Sequence, residues 1–369
     1  MQITVLCKVV DNFGDIGVVY RLSKQLKKIN PENQINLVTD NLESFQKICH
    51  SVQCGVPFQI VEGLNVYDWN AADFCHEAFS ANDGELMPVI LECFQCGRPD
   101  WMEHILFEEK LERTVQVIMI DYLTAEKYAE DFHCLQSLTR SAKVQKVNFM
   151  PGFTEKTGGL VVEEEWREVP VWKADGPVLV FTYEGDWTEL VQGWLSLRSL
   201  SGAEGPKTYL PKLLVAQGRG KQSFMEAVEA CGAGSFVEEL PYLNQTEWDE
   251  VMKGCSALVI RGEESMSRAC LSGIPFIWHA YPQSEEYQLV KVRALLERMR
   301  RHFPAEDFEI VERAWLDINT GLSPRMTYAV FFSAVNRLAP SFYDFAHSLR
   351  KNGDLAANLM TYIEKLAII

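Results

Sequence analysis

The sequence has no apolar run approaching the ~20 residues needed to cross a bilayer. Its opening, MQITVLCKVVDN, carries neither a basic flank nor a small-residue cleavage site. A membrane partner and a secretory leader are therefore not expected, and the chain is placed in the cytoplasm. Positive charge is scarce, with 35 Lys and Arg against 51 Asp and Glu, a formal net charge of −16. Nucleic acid is not an expected partner, because neutralising phosphates needs a basic face. An acidic surface instead suits a basic partner and raises its encounter rate. There is no HExxH, no Asp-x-Asp and no low-complexity segment or short repeat. A metal held to a nucleotide diphosphate by Asp-x-Asp is thus unsupported. Cys93 and Cys96 form one CxxC, yet no second pair completes a zinc site, and the seven histidines make no close pair along the chain. The ten cysteines are unevenly scattered and read as free thiols.

What is present is alternation. The 369 residues suggest about two domains at ~150 residues each. QITVLCKVV, QINLVTD, PVILECF and VQVIMIDYL read as buried strands separated by segments long enough for crossover helices, so a parallel sheet is expected. From about 154 to 176 the pattern lapses into a polar stretch rich in Gly and Pro, the approach to a second domain. PVLVFTY, KLLVAQG, SFVEEL, CSALVIRG and IPFIWHA then read as further strands, and after 284 the chain is mainly helical. The fold class is α/β: two Rossmann-like domains facing a central cleft, 1–165 and 166–352, the first joined by a C-terminal helix near 353–369. Ligands in such sheets bind beyond the carboxyl ends of the strands.

Three segments carry chemistry. VVDNFGDIG leads from the first strand into an amphipathic helix, where a doubly wound domain usually seats a phosphate on free backbone N–H groups. Asp11 and Asp15 put two negative charges there instead. RGEES at 261–265 follows the strand CSALVI and opens a helix that closes at Gly273. A guanidinium at a strand end, a glycine and a hydroxyl at a helix start together suit a diphosphate. Phe181 and Tyr183 leave their strand on one face, and Tyr242 and Trp248 flank the loop PYLNQTEW, so aromatics are available to stack on a base. GRGKQS at 218–223 imitates a phosphate loop, but Val215 and Gln222 break the Walker A pattern. It reads as an ordinary strand-to-helix turn.

With DNFGDIG, the FxYE segment at 181–184, the aromatic loop at 242–248, RGEES and AYPQ at 280–283, the chain resembles the protein-arginine rhamnosyltransferases that modify bacterial elongation factor P. The resemblance implies a GT-B fold and an inverting glycosyltransferase using TDP-β-L-rhamnose as donor substrate, with no cofactor and no metal. It implies elongation factor P as protein acceptor, bound by the N-terminal domain, and the nucleotide on the C-terminal one. Carried over residue by residue, Asp11 and Asp15 match the family's two aspartates important for activity, and Glu263 is placed with them among the catalytic residues. Donor binding falls to Asn12, Gly14, Phe181, Tyr183, Tyr242, Gln245, Trp248, Arg261, Gly262, Glu264 and Ser265. The sequence departs from the common form at Glu264, usually Asp, and at Tyr242 and Trp248, often Phe or Tyr; charge and aromaticity are kept.

This assignment gives the aspartates a purpose. The acceptor arrives as a planar cation with a pKa above ~12, which two carboxylates on one loop can hold in a fixed fork. One carboxylate can take the proton as nitrogen attacks the anomeric carbon, while the other orients. Two other functions fit the same sequence. One is a GT-B enzyme with another nucleotide sugar and a small acceptor; the other is a nucleotide-sugar-binding protein without catalysis.

Overall fold

The computed structural model describes residues 1–10, 14–80, 88–111, 113–200, 210–321 and 324–367. The chain divides into two compact units, Met1–Glu165 with Leu349–Ile369, and Trp166–Ser348. Among the described residues, no helix is long and apolar enough to cross a membrane.

The first unit is built on one sheet. Its strands are β1 (Gln2–Cys7), β2 (Gln34–Thr39), β3 (Phe58–Val61), β4 (Leu64–Asp68), β5 (Val89–Cys93), β6 (Val115–Ile120), β7 (Gln136–Ser137) and β8 (Val144–Phe149). They lie in the order β3-β4-β2-β1-β5-β6-β8-β7. The run from β4 to β8 is parallel, and β3 and β7 are antiparallel additions at the edges. Both faces are covered. Val5, Leu37 and Leu91 pack with Ile16 and Val19 of the helix Gly14–Ile29 and with Leu355 and Leu359 of the helix Leu355–Ala367. Their neighbours Leu6, Val38 and Ile90 point the other way, onto Trp101, Met102 and Ile105. Double-sided burial is why these strands read as continuous apolar runs rather than alternating ones.

The edge hairpin of β3 and β4 is not among the expected strands. Its turn is Glu62-Gly63, both at positive φ (48° and 80°), the geometry that suits a two-residue hairpin. Phe58 and Ile60 on β3 are exposed, so this strand lacks the apolar run that marks its buried neighbours. The last helix is fastened by Asp354, whose carboxylate accepts from Val162 N (2.9 Å), Ala357 N (3.1 Å) and Gln25 Nε2 (3.1 Å).

The second unit has a five-stranded parallel sheet, β9 (Val178–Val180), β10 (Leu213–Val215), β11 (Val237–Glu239), β12 (Ala257–Arg261) and β13 (Phe276–His279), ordered β11-β10-β9-β12-β13. The chain runs outward from β9 to β11, then returns to place β12 on the other side of β9. The switch point of this sheet therefore lies between the carboxyl ends of β9 and β12, where such sheets bind ligands. The equivalent point in the first unit lies between β1 and β5.

Candidate functional site

At the switch point of the second unit, Phe181 N donates to Val259 O (2.7 Å) and continues the β9–β12 register past Val180. Arg261 ends β12 and is 4% exposed. Its guanidinium carbon lies 4.4 Å from the ring centroid of Phe181 and 4.5 Å from that of Tyr183. Its Nε has no hydrogen-bond partner, and no ion pair to it is present among the described residues. Each ring contributes on the order of 2 kcal/mol to holding a desolvated cation. Stripping the water from that cation costs several kcal/mol. The remainder can be offset by an anion delivered to the site.

The surroundings prepare a place for one. Gly262, at φ 71° and ψ 167°, caps the helix Glu263–Ser272, a backbone conformation that a side chain rarely tolerates. Its carbonyl accepts from Trp278 Nε1 (3.2 Å), which fixes the helix start. Ser265 lies buried in the first turn, where backbone N–H groups are free of intrahelical partners. Glu263 is ion-paired: its Oε1 is 3.1 Å from Lys291 Nζ, with both side chains about one-fifth exposed. The helix ends at left-handed Gly273 (φ 69°).

Phe181 meets the Trp248 ring at 5.1 Å and 66°. Trp248 is carried by the helix Gln245–Lys253, which begins with a capping box of Asn244 and Glu247. Its indole N–H is buried without an acceptor among the described residues. Gln245, the first residue of this helix, is buried, whereas Tyr242 in the loop before it is about half exposed. The structure thus gathers Phe181, Tyr183, Trp248 and Arg261 into one cluster, with Gly262, Glu263, Glu264 and Ser265 on the adjoining helix start.

Two features were not assigned to this site from sequence. GRGKQS is a strand-to-helix turn, as expected, leading into the helix Lys221–Ala230. A Cβ on Gly218 would meet Phe181 Cε2 at 2.9 Å and Arg261 Nη2 at 3.3 Å, and one on Gly220 would meet Tyr183 O at 2.4 Å. The glycines let this turn close against the cation and its rings; their pairing in GRG was the available signal. The second feature is His279. Its Nδ1 accepts from Tyr183 N (3.3 Å), and its ring packs edge-on against Tyr183 and Trp187. Burial, reinforced by the charge of Arg261, lowers its pKa to about 4.

In the first unit, Asp11 and Asn12 lie outside the described residues. Gly14 opens the helix Gly14–Ile29, and Asp15 is buried in its first turn, 4% exposed. Its Oδ2 accepts from Val10 N (2.7 Å), and Asp40 Oδ1 accepts from Val9 N (2.8 Å), so two carboxylates anchor the loop that leaves β1. The CxxC thiols nearby are protonated. Burial pushes Cys93 well above the ordinary thiol range and Cys96 up to about 12, and Cys96 Sγ donates to backbone carbonyls.

The family described as Elongation-Factor P (EF-P) rhamnosyltransferase EarP matches residues 3–364. The chain belongs to this family. Among curated relatives, the protein-arginine rhamnosyltransferase of Pseudomonas aeruginosa is 30% identical over 346 residues, covering 86% of each chain. The protein of the same name from Shewanella oneidensis is 30% identical over 324 residues, covering 79% of each. Among solved structures, one reported as the structural basis for EarP-mediated arginine glycosylation of translation elongation factor EF-P matches with a TM-score of 0.58 and 17% identity, covering 98% of both chains. A Phytolacca americana protein complexed with UDP-2-fluoro-glucose and pterostilbene matches at TM-score 0.55 and 10% identity, covering all of both chains. These likenesses bear out the expected GT-B fold and the family resemblance.

Proposed function

We propose that this protein is an inverting, metal-independent glycosyltransferase that moves rhamnose from TDP-β-L-rhamnose to an arginine guanidinium of elongation factor P in the cytoplasm. Family membership supports the reaction class and the acceptor. The observation that carries the donor side is Arg261, a buried cation without an anionic partner among the described residues, clamped by Phe181 and Tyr183 beside a helix N-terminus.

In this reading the diphosphate takes the place of the missing counter-anion, seated on Arg261, the Ser265 hydroxyl and the first-turn N–H groups. Phe181 and Trp248 offer apolar surface to the base, and the buried Trp248 N–H is a donor in search of an acceptor. Tyr242, Gln245, Gly262 and Glu264 border the donor, and the family resemblance adds Asn12 and Gly14 to the donor-binding set. A nitrogen of the acceptor guanidinium bonds to the anomeric carbon as the bond from that carbon to the diphosphate oxygen breaks. TDP leaves with the electron pair, and its charge grows against a fixed guanidinium and helix dipole, so no metal is required. The proton released from nitrogen goes to Asp11 or Asp15 while the other carboxylate orients the fork. Glu263, paired with Lys291, is a charge held close to the same helix start.

The deciding experiment mixes the protein with TDP-β-L-rhamnose and elongation factor P in excess EDTA and weighs the acceptor. One deoxyhexose on one arginine is expected. Transfer only from another nucleotide sugar to a small acceptor would replace this reading. Tight TDP binding with no transfer from any donor would make the protein a binder, and loss of transfer on chelation would overturn metal independence.

A further inference from the structure

The histidines that form no close pair along the sequence do form one in space. His76 lies on the helix Ala72–Ser80 and His104 in the last turn of the helix Asp100–Phe107. The two helices pack together, with Phe79 and Trp101 rings 5.2 Å apart, and this brings the two imidazoles to 5.8 Å between centroids. Just past the second helix, Glu108 N and Glu109 N both donate to His104 O (2.9 and 3.1 Å), which folds Glu109 back over the pair. Glu109 Oε1 is then 2.7 Å from His76 Nε2 and 3.9 Å from His104 Nε2.

We propose that His76, His104 and Glu109 form a binding site for a divalent transition metal of the zinc class, with water completing the coordination. Their ligand atoms lie within 4.8 Å of one another. On a tetrahedral zinc with bonds of ~2.0–2.1 Å, ligand atoms are roughly 3.3 Å apart. Small side-chain rotations therefore close the site. Glu108 supplies the second requirement of a metal-bound histidine: its Oε2 is 2.9 Å from His104 Nδ1. Donation of Nδ1–H to that carboxylate leaves the Nε2 lone pair aimed at the cluster, the tautomer a metal needs. Two imidazoles and one carboxylate suit zinc, cobalt or nickel, whereas magnesium and calcium favour an all-oxygen shell. Ser80 Oγ, 3.5 Å from His76 Nε2, can hydrogen-bond the bound water. None of these residues belongs to the proposed transfer machinery. The metal would tie two helices of the first unit together, so its effect is read in stability.

The test titrates metal-stripped, full-length protein with zinc by calorimetry and with cobalt by absorption. One equivalent of zinc should bind and raise the melting temperature by mass action. His76→Ala and His104→Ala should each weaken that binding at least tenfold, and His50→Ala, outside the cluster, should leave it unchanged. Glu108→Gln alters only the Nδ1 partner and should weaken affinity ~10–100-fold. His104→Gln, closer in size, serves if an alanine variant misfolds. Cobalt should show bands of a nitrogen and oxygen site. Absence of stoichiometric zinc binding would overturn the proposal. So would undiminished binding in the histidine variants, or a cobalt thiolate band tracing the metal to exposed Cys54 and Cys134.

Discussion

Arg261 and His279 are register partners on β12 and β13, and the charge of the first reinforces the burial that keeps the second neutral. The pairing has a measurable consequence. His279 has a pKa of about 4 in the folded protein, against ~6.5 for a free imidazole. As pH falls below ~6.5 the unfolded chain takes the proton first, so stability is highest above that pH and declines toward pH ~4. The decline is ~1.4 kcal/mol per pH unit, about 3 kcal/mol across the window. His279→Asn places an amide oxygen near the position of Nδ1 and cannot titrate. Denaturant melts between pH 4 and 7 should show a shallower acid limb for the variant; parallel limbs would mean that His279 protonates freely in the fold.

If TDP binds the folded state through Arg261, as proposed, TDP alone should stabilise the protein. Arg261→Ala should largely remove the TDP-induced rise in melting temperature. Arg261→Lys should restore only part of it, since a point charge replaces a planar fork and loses its stacking on Phe181 and Tyr183. Equal TDP shifts in wild type and Arg261→Ala would move the phosphate site elsewhere.

The two glycines of GRGKQS should fail differently when changed to alanine. At Gly220 a methyl would press on the backbone carbonyls of Thr182 and Tyr183, at 2.3 and 2.4 Å, and backbone cannot step aside cheaply. Gly220→Ala should therefore cost stability, on the order of 1–3 kcal/mol as for other overpacked sites. At Gly218 the obstacles are the side chains of Phe181 and Arg261, at 2.9 and 3.3 Å, which can yield. Gly218 stands at φ 157°, so Gly218→Ala should also lose some stability, but its distinguishing effect should be weaker TDP binding. The reverse pattern would refute the close approach seen here.

What was legible in the sequence follows from burial and periodicity. Strands covered on both faces, such as Val89–Cys93 and Ala257–Arg261, announce themselves as apolar runs. The edge strand Phe58–Val61 does not, because half its side chains face water. RGEES pointed to a helix start with a cation before it. Nothing local marked His279 as the acceptor for Tyr183 N, since that contact spans 96 residues. The His76–His104 cluster was hidden for the same reason: helix packing makes it, and spacing along the chain carries no trace of packing. Asp15 was legible as a charge at a helix start but not as the acceptor for Val10 N.

That hydrogen bond sharpens the test of the loop DNFGDIG. Asp15 could serve only to anchor the chain leaving β1, or it could handle the acceptor's proton. Asp15→Asn separates the two, because the amide oxygen still accepts from Val10 N while the negative charge and basicity vanish. A positioned base contributes ~10²–10⁴-fold, and losing one of two carboxylates would also loosen the proposed guanidinium fork. Single-turnover transfer should therefore fall at least ~10²-fold. TDP affinity should hold, because the proposed diphosphate seat lies on the other unit, with Arg261. Asp15→Ala discards the anchor as well and should additionally lower the melting temperature. If Asp15→Asn turns over normally and only Asp15→Ala is impaired, the residue is a structural anchor, and the proton must go to Asp11. If Asp15→Asn loses TDP affinity instead, the loop has the phosphate-binding role its position after β1 first suggests.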